Sequence, residues 1–145
     1  VAQSASAEPI RPASDLTGGG TVLLVEDEDP VRLFGARALR SKGYKVVEAQ
    51  NGQVAMELLR SEHFDLLITD LMMPNINGAT VIAAARAARP DLPVICISGY
   101  MEESMAKEME KFSNLNFLAK LFSLKDLAGM VKDAMAARGA GADIP

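Results

Sequence analysis

Glu26, Asp27, Asp70, Ser98 and Lys120 are the residues of this chain whose types and settings fit chemistry. Each directly follows, or stands one residue beyond, a short run rich in apolar residues. Thr21–Val25 precedes Glu26 and Asp27, Asp65–Thr69 precedes Asp70, Leu92–Ile97 precedes Ser98, and Asn116–Ala119 precedes Lys120. Three carboxylates brought together repel one another and are costly to hold without a cation. An all-oxygen set of this kind suits Mg2+, which keeps several waters and accepts few protein ligands. Asp27 and Asp70 would bind it directly, Glu26 directly or through water, and the backbone carbonyl of Met72 would supply a further oxygen. A carboxylate oxygen of Asp70 can attack phosphorus and form an acyl phosphate. The cation and Lys120 would neutralise charge on the equatorial oxygens, and the Ser98 hydroxyl would donate a hydrogen bond to the new phosphoryl group. Taken singly, the same residues have ordinary uses: acids bias a helix N-terminus, a serine holds a turn, a lysine neutralises acids. A shared location separates the two readings.

The elements that must supply that location are legible as alternating patterns. Thr21–Val25, Tyr44–Ala49, Asp65–Thr69, Leu92–Ile97 and Asn116–Ala119 read as strands buried largely on both faces. Between them lie helical patterns. Asp29-Pro30 predicts an N-cap followed by proline at the first helical position, and Val31, Phe34, Gly35, Ala38 and Leu39 predict the inner face of that helix. Asn51-Gly52 and Asn77-Gly78 open two more helices, the second an Ala-rich one over 78–88. A charged helix is predicted over 101–111, with Met101, Met105 and Met109 on its core side. Ser123 and Asp126 resemble a capping box at the start of the last helix.

Five strands alternating with five helices predict a doubly wound α/β domain with a parallel sheet. Right-handed crossovers leave few topologies, and strand order 2-1-3-4-5 sets the ends of the first and third strands side by side. Residues 1–20, rich in Ala, Ser, Pro and Gly, predict a linker. The domain is then 21–137, followed by a frayed tail over 138–145.

Composition narrows the function classes. The 145 residues are 49% hydrophobic and carry a formal net charge of -4, which gives no electrostatic case for nucleic acid or a direct membrane contact. Cys96 is the one cysteine, so an intrachain disulfide and a thiolate zinc cluster are excluded, and a buried filler role is expected for it. His63, the one histidine, reads as a surface residue. Apolar runs fall short of a membrane span, which predicts a cytoplasmic domain, with an anchored parent left open. Neither a dinucleotide-type nor a P-loop glycine pattern follows the first strand.

The stretches Val22–Glu28, Leu67–Pro74, Ile97–Gly99 and Phe117–Lys120 together resemble a response-regulator receiver domain, over about residues 20–137. The fold implied is CheY-like, or flavodoxin-like. The resemblance implies that phosphohistidine phosphorylates Asp70, that Glu26 and Asp27 bind Mg2+, that Ser98 and Lys120 serve the phosphoryl group, and that Phe117 is the aromatic switch residue paired with Ser98. More narrowly, Val25–Phe34 and the preceding glycines resemble receivers of hybrid sensor histidine kinases. This implies a histidine kinase domain and a histidine phosphotransferase as partners. A phosphorylation-sensitive face is expected along the helix over 101–111, the fifth strand and the last helix, altering association with a partner or a second copy. No DNA-binding module follows residue 137, so direct action on a promoter is not expected.

One position departs from the family. The family has Lys-Pro with a cis peptide, and here Leu121 follows Lys120. A non-proline cis bond costs about 2.5–4 kcal/mol, which predicts a trans bond and a displaced loop over 121–123. Two alternatives stay open: a pseudo-receiver that acts as an interaction module without phosphorylation, and a hydrolase with an aspartate nucleophile.

Overall fold

The computed structural model describes residues 19–99, 107, 109–120 and 122–143. Five strands, β1 (Thr21–Val25), β2 (Lys45–Ala49), β3 (Leu66–Asp70), β4 (Val94–Ser98) and β5 (Leu115–Ala119), form one parallel sheet in the order β2-β1-β3-β4-β5. Helices α1 (Asp29–Ser41), α2 (Gly52–Ser61), α3 (Gly78–Ala88) and α4 (Leu124–Asp143) complete the bounded elements among the described residues. This is the expected doubly wound fold. The helix expected over 101–111 lies largely outside the described residues, although Lys107 and Met109 are helical and Met109 is buried.

The sheet divides the core. Leu23, Val25, Leu67, Val94 and Cys96 pack with Ala79, Ile82 and Ala85 of α3 on one side. Val22, Leu24, Leu66, Ile68, Ile95 and Ile97 pack with Leu39 of α1 and Leu127 and Val131 of α4 on the other. Strands covered on both faces need continuous apolar runs, which is why β1, β3 and β4 read as such in sequence. Cys96 fills the first layer, and burial pushes its thiol up to about 12. Among the described residues, no helix is long and apolar enough to cross a membrane.

Local chemistry sets the helix starts. Asn51 and Asn77 each accept a hydrogen bond from a backbone N–H three residues on, Val54 at 2.8 Å and Thr80 at 3.1 Å. Ser123 and Asp126 close a reciprocal capping box, with Asp126 N–H donating to Ser123 Oγ at 3.0 Å and Ser123 N–H donating to Asp126 Oδ2 at 3.5 Å.

Two expectations are corrected. The N-cap of α1 is Glu28, not Asp29, and its side chain makes no capping bond, being turned to Lys120 instead. Asp29 sits inside the first turn and pairs with Arg32 Nη1 at 2.8 Å. Phe34 is not a core residue: it is 45% exposed, with its ring 5.9 Å from that of Phe122. Helix α4 extends to Asp143. The Lys120–Leu121 bond, and with it the start of the loop expected to be displaced, falls on Leu121, outside the described residues.

Helix α3 starts hard against the end of β3. A Cβ added at Gly78 would lie 2.5 Å from the Asp70 carbonyl oxygen and 2.8 Å from Leu71 Cα, both main-chain atoms with little room to yield. Gly78→Ala is therefore expected to destabilise the domain by about 1–3 kcal/mol, read from chemical denaturation. Gly129→Ala is the matched control within α4: its added Cβ meets nothing within 4 Å. It should stabilise by about 0.5–1 kcal/mol through helix propensity alone.

Candidate functional site

The parallel register brings the sequence-predicted residues to one edge. Val25 pairs with Thr69, so Glu26 and Asp70 follow as neighbours at the carboxyl ends of β1 and β3. Asp70 pairs with Ile97, and Ser98, at the end of β4, pairs with Ala119. Lys120 then leaves β5 with its N–H donating to the Ser98 carbonyl at 3.1 Å. In an open parallel sheet this edge, at the reversal of strand order, is the usual ligand position.

Glu26 is fully buried and Asp70 nearly so, while Asp27 is exposed. One oxygen from each of the three lies within 4.8 Å of the others. Lys120 Nζ stands among the acids, 3.1 Å from Asp70 Oδ2 and 3.4 Å from Glu26 Oε2, and also contacts Glu28 Oε1. Backbone donors complete the set: Glu28 N–H donates to Glu26 Oε2 at 3.0 Å, and Met72 N–H donates to Asp70 Oδ1 at 3.3 Å. Among the described residues Glu26 Oε1 has no hydrogen-bond partner. Beside Asp27 opens a cleft of about 370 Å³, lined in part by Gln50, Asn51, Gln53 and Asn75. Asn75 takes the left-handed conformation at φ 68°, which asparagine tolerates better than most residues.

Electrostatics follows from burial. Loss of water pushes the Glu26 carboxyl up to about 8, against the lowering pull of the Glu28 N–H; the Asp70 charge adds to the rise and Lys120 opposes it. Burial likewise raises Asp70, opposed first by its hydrogen bond with Lys120. Burial alone would pull Lys120 down, but hydrogen bonds with Glu28 and Asp70 and the charges of Asp70 and Glu26 outweigh it and hold the ammonium above its usual range.

The remaining expected residues flank this centre. Ser98 is half-buried at the rim, Met72 follows Asp70 with its side chain 44% exposed, and Phe117 lies on β5, 46% exposed. His63 is at the surface, with Nε2 3.1 Å from Arg89 Nη1 and 3.5 Å from Asp65 Oδ1. Sequence reasoning missed Glu28 as a partner of Lys120, although it stands third in a run of four acids. It also missed Arg32, whose signal was its i,i+3 spacing from Asp29.

Known proteins resemble this chain over most of its length. A family model described as the response regulator receiver domain matches residues 22–132. The sensor kinase CckA of Brucella abortus (strain 2308) is 41% identical over 134 residues, covering 91% of this chain, which spans 14% of that kinase's length. The response regulator receiver protein CpdR of the same organism is 33% identical over 80% of this chain and 97% of its own. Among solved structures, the receiver domain of the hybrid histidine kinase CckA superposes with a TM-score of 0.68 at 39% identity, covering 80% of this chain and 99% of that domain. The narrower likeness to receivers of hybrid sensor histidine kinases is thus matched in both sequence and structure. The family match begins within β1, takes in the other four strands and reaches into α4, and so the chain belongs to the response regulator receiver domains of two-component phosphorelay signalling.

Proposed function

We propose that the domain accepts a phosphoryl group from a phosphohistidine onto Asp70 and exchanges it with a histidine phosphotransferase, with Mg2+ held by Glu26, Asp27 and Asp70. The observation that carries this reading is the Asp70 carboxylate, hydrogen-bonded to Lys120 inside a three-carboxylate cluster at the sheet's ligand edge. A histidine kinase domain is the proposed donor. Under this reading the unit is residues 21–137 and works in the cytoplasm, with any membrane anchor supplied by other parts of a longer parent.

The residues present fit the cation. Three carboxylates offer oxygens within 4.8 Å of one another, and the unpartnered, buried Glu26 Oε1 has a lone pair that a cation would satisfy. The Met72 carbonyl is the proposed further ligand. When bound, Mg2+ would neutralise the phosphoryl oxygens and the acids together. In transfer, an Asp70 oxygen forms the new P–O bond while the donor's P–N bond breaks, its electron pair returning to the imidazole nitrogen. Lys120 pairs with charge gathering on the phosphoryl oxygens, and the Ser98 hydroxyl donates a hydrogen bond to one of them. Ser98 drawn towards the phosphoryl group would give exposed Phe117 space to turn inward, repacking the face of β5 and α4 and altering association with a partner or a second copy. A phosphoryl mimic should therefore shift amide NMR signals on β5 and α4, and shifts confined to the loops around Asp70 would overturn the switch.

Acetyl phosphate with Mg2+ should add one phosphoryl group by intact mass, mapped to Asp70 and lost in Asp70→Asn. Mg2+ binding without the adduct, under conditions that label a control receiver, would assign the domain instead as a pseudo-receiver, an interaction module. Leu121→Pro should speed labelling if placement of Lys120 limits the rate, since small misplacements of a charge-stabilising group are costly in the transition state.

The buried acids also set a pH dependence. Glu26 moves from an ordinary value of 4.5 to about 8 on folding without a metal, and Asp70 moves in the same direction. A raised carboxyl favours the folded state fully below its unfolded value and loses that contribution as pH climbs to the folded one. Without divalent cations, thermal stability should fall as pH rises from about 4.5 to about 8. Mg2+ should restore it most strongly at the upper end of that window. A flat profile in EDTA would show that Glu26 is already charged in the metal-free fold.

A further inference from the structure

The turn from Glu26 to Glu28 carries two of the three clustered carboxylates, and few bonds hold its backbone, one of them from Glu28 N–H to Glu26 Oε2 at 3.0 Å. Glu26 N–H donates to the Ala49 carbonyl at 3.1 Å, and the Glu28 carbonyl accepts from Arg32 N–H at 2.9 Å. The Glu26 carbonyl itself accepts from Arg32 Nη1 at 3.0 Å. The same guanidinium pairs with Asp29 at 2.8 Å through Nη1 and with Glu48 Oε1 at 3.2 Å through Nε, and its side chain is only 11% exposed. Glu48 is shared: its other oxygen accepts from Arg40 Nη1 at 3.1 Å, and Arg40 Nη2 donates to the Val46 carbonyl at 2.8 Å.

We propose that Arg32 is a positioning residue for the metal-binding turn, fixing Glu26 and Asp27 through the Glu26 carbonyl without bonding either Glu26 carboxylate oxygen. A guanidinium suits this task. It stays charged at all relevant pH values and offers donors in a rigid planar fork, so one group can bridge α1, β2 and the end of β1. It bonds the Glu26 carbonyl and pairs with Asp29 and Glu48, so it occupies none of the oxygens that would face a cation. Lys120 cannot share this role, because its ammonium is spent on those carboxylate oxygens themselves. A lysine at position 32 would keep the charge and lose the fork.

The functional half of this inference rests on the Mg2+ reading above, and the structural half does not. Both are tested by NMR on the 15N-labelled domain, comparing the native chain with Arg32→Met, Arg32→Lys and Arg40→Met. Arg40→Met breaks the other arm of the Glu48 clasp and leaves the Glu26 carbonyl bond in place. Removing a group that orients metal ligands typically costs 10–100-fold in affinity, so Arg32→Met should weaken Mg2+ binding at least about tenfold, with Arg32→Lys between it and the native chain and Arg40→Met within about twofold of native. In the metal-free protein, amide exchange at Asp27 and Glu28 should quicken in Arg32→Met and stay native-like in Arg40→Met. Native affinity and exchange in Arg32→Met would overturn the proposal. Equal losses in Arg32→Met and Arg40→Met would overturn it too, assigning the effect to the Glu48 clasp. Should the native chain bind no Mg2+, the metal reading fails and exchange at Asp27 and Glu28 alone decides: quickening in Arg32→Met supports the positioning role, and unchanged rates reject it.

Discussion

Two carboxyl groups buried side by side at the end of an apolar sheet set the terms for the rest of this molecule. Glu26 and Asp70 are 0% and 1% exposed, and a charge removed from water is costly unless something replaces the water. The replacements are specific, one ammonium and the backbone N–H groups of Glu28 and Met72, and among the described residues they leave one oxygen, Glu26 Oε1, without a partner. A proton relieves such a centre, and the proposed cation would relieve it in the proton's place. That choice is what makes it responsive to chemistry that a fully satisfied ion pair would ignore.

The sheet solves the geometric half of the problem. Acids on β1 and β3 become neighbours because those strands are adjacent and in parallel register, while the ammonium arrives from β5, at the opposite edge from β2. Lys120 spans the end of β4 to reach Asp70, and its own N–H is fixed to the Ser98 carbonyl. No local segment could gather these groups. Crossover connections, with α3 pressed against the end of β3, do so by placing every strand terminus on one side of the molecule.

What could be read in advance divides along the range of the interactions. The bounds of α3, Gly78–Ala88, were legible because Asn77 and Gly78 act within one turn. The sheet edge was legible because apolar runs ended at polar residues, a signal that needs only chain order and the small set of allowed topologies. Glu28 and Asp29 were harder. A helix start and a reach to Lys120 compete for the same carboxylate, and the partner 92 residues away won. Phe34 follows helical spacing, yet periodicity marks a stripe and not its width. In α1 the buried residues begin only at Gly35 and Ala36, with Phe34 left to pair with Phe122. Arg32 was missed because its one sequence signal was the i,i+3 spacing from Asp29, and a bond to a main-chain carbonyl leaves no mark in a sequence.

The two apolar layers are separated by a hydrogen-bonded sheet whose strands send alternate side chains to opposite faces. Leu23 and Leu24 are adjacent in the chain and belong to different layers. Packing defects propagate between side chains that touch, so substitutions within a layer should be non-additive and those in opposite layers close to independent. A lineage carrying this fold can therefore drift as two loosely linked halves. Compensating changes would gather on the α3 side or on the α1 and α4 side. A short list of residues at the sheet's carboxyl end, answerable to both layers, would restrain both histories.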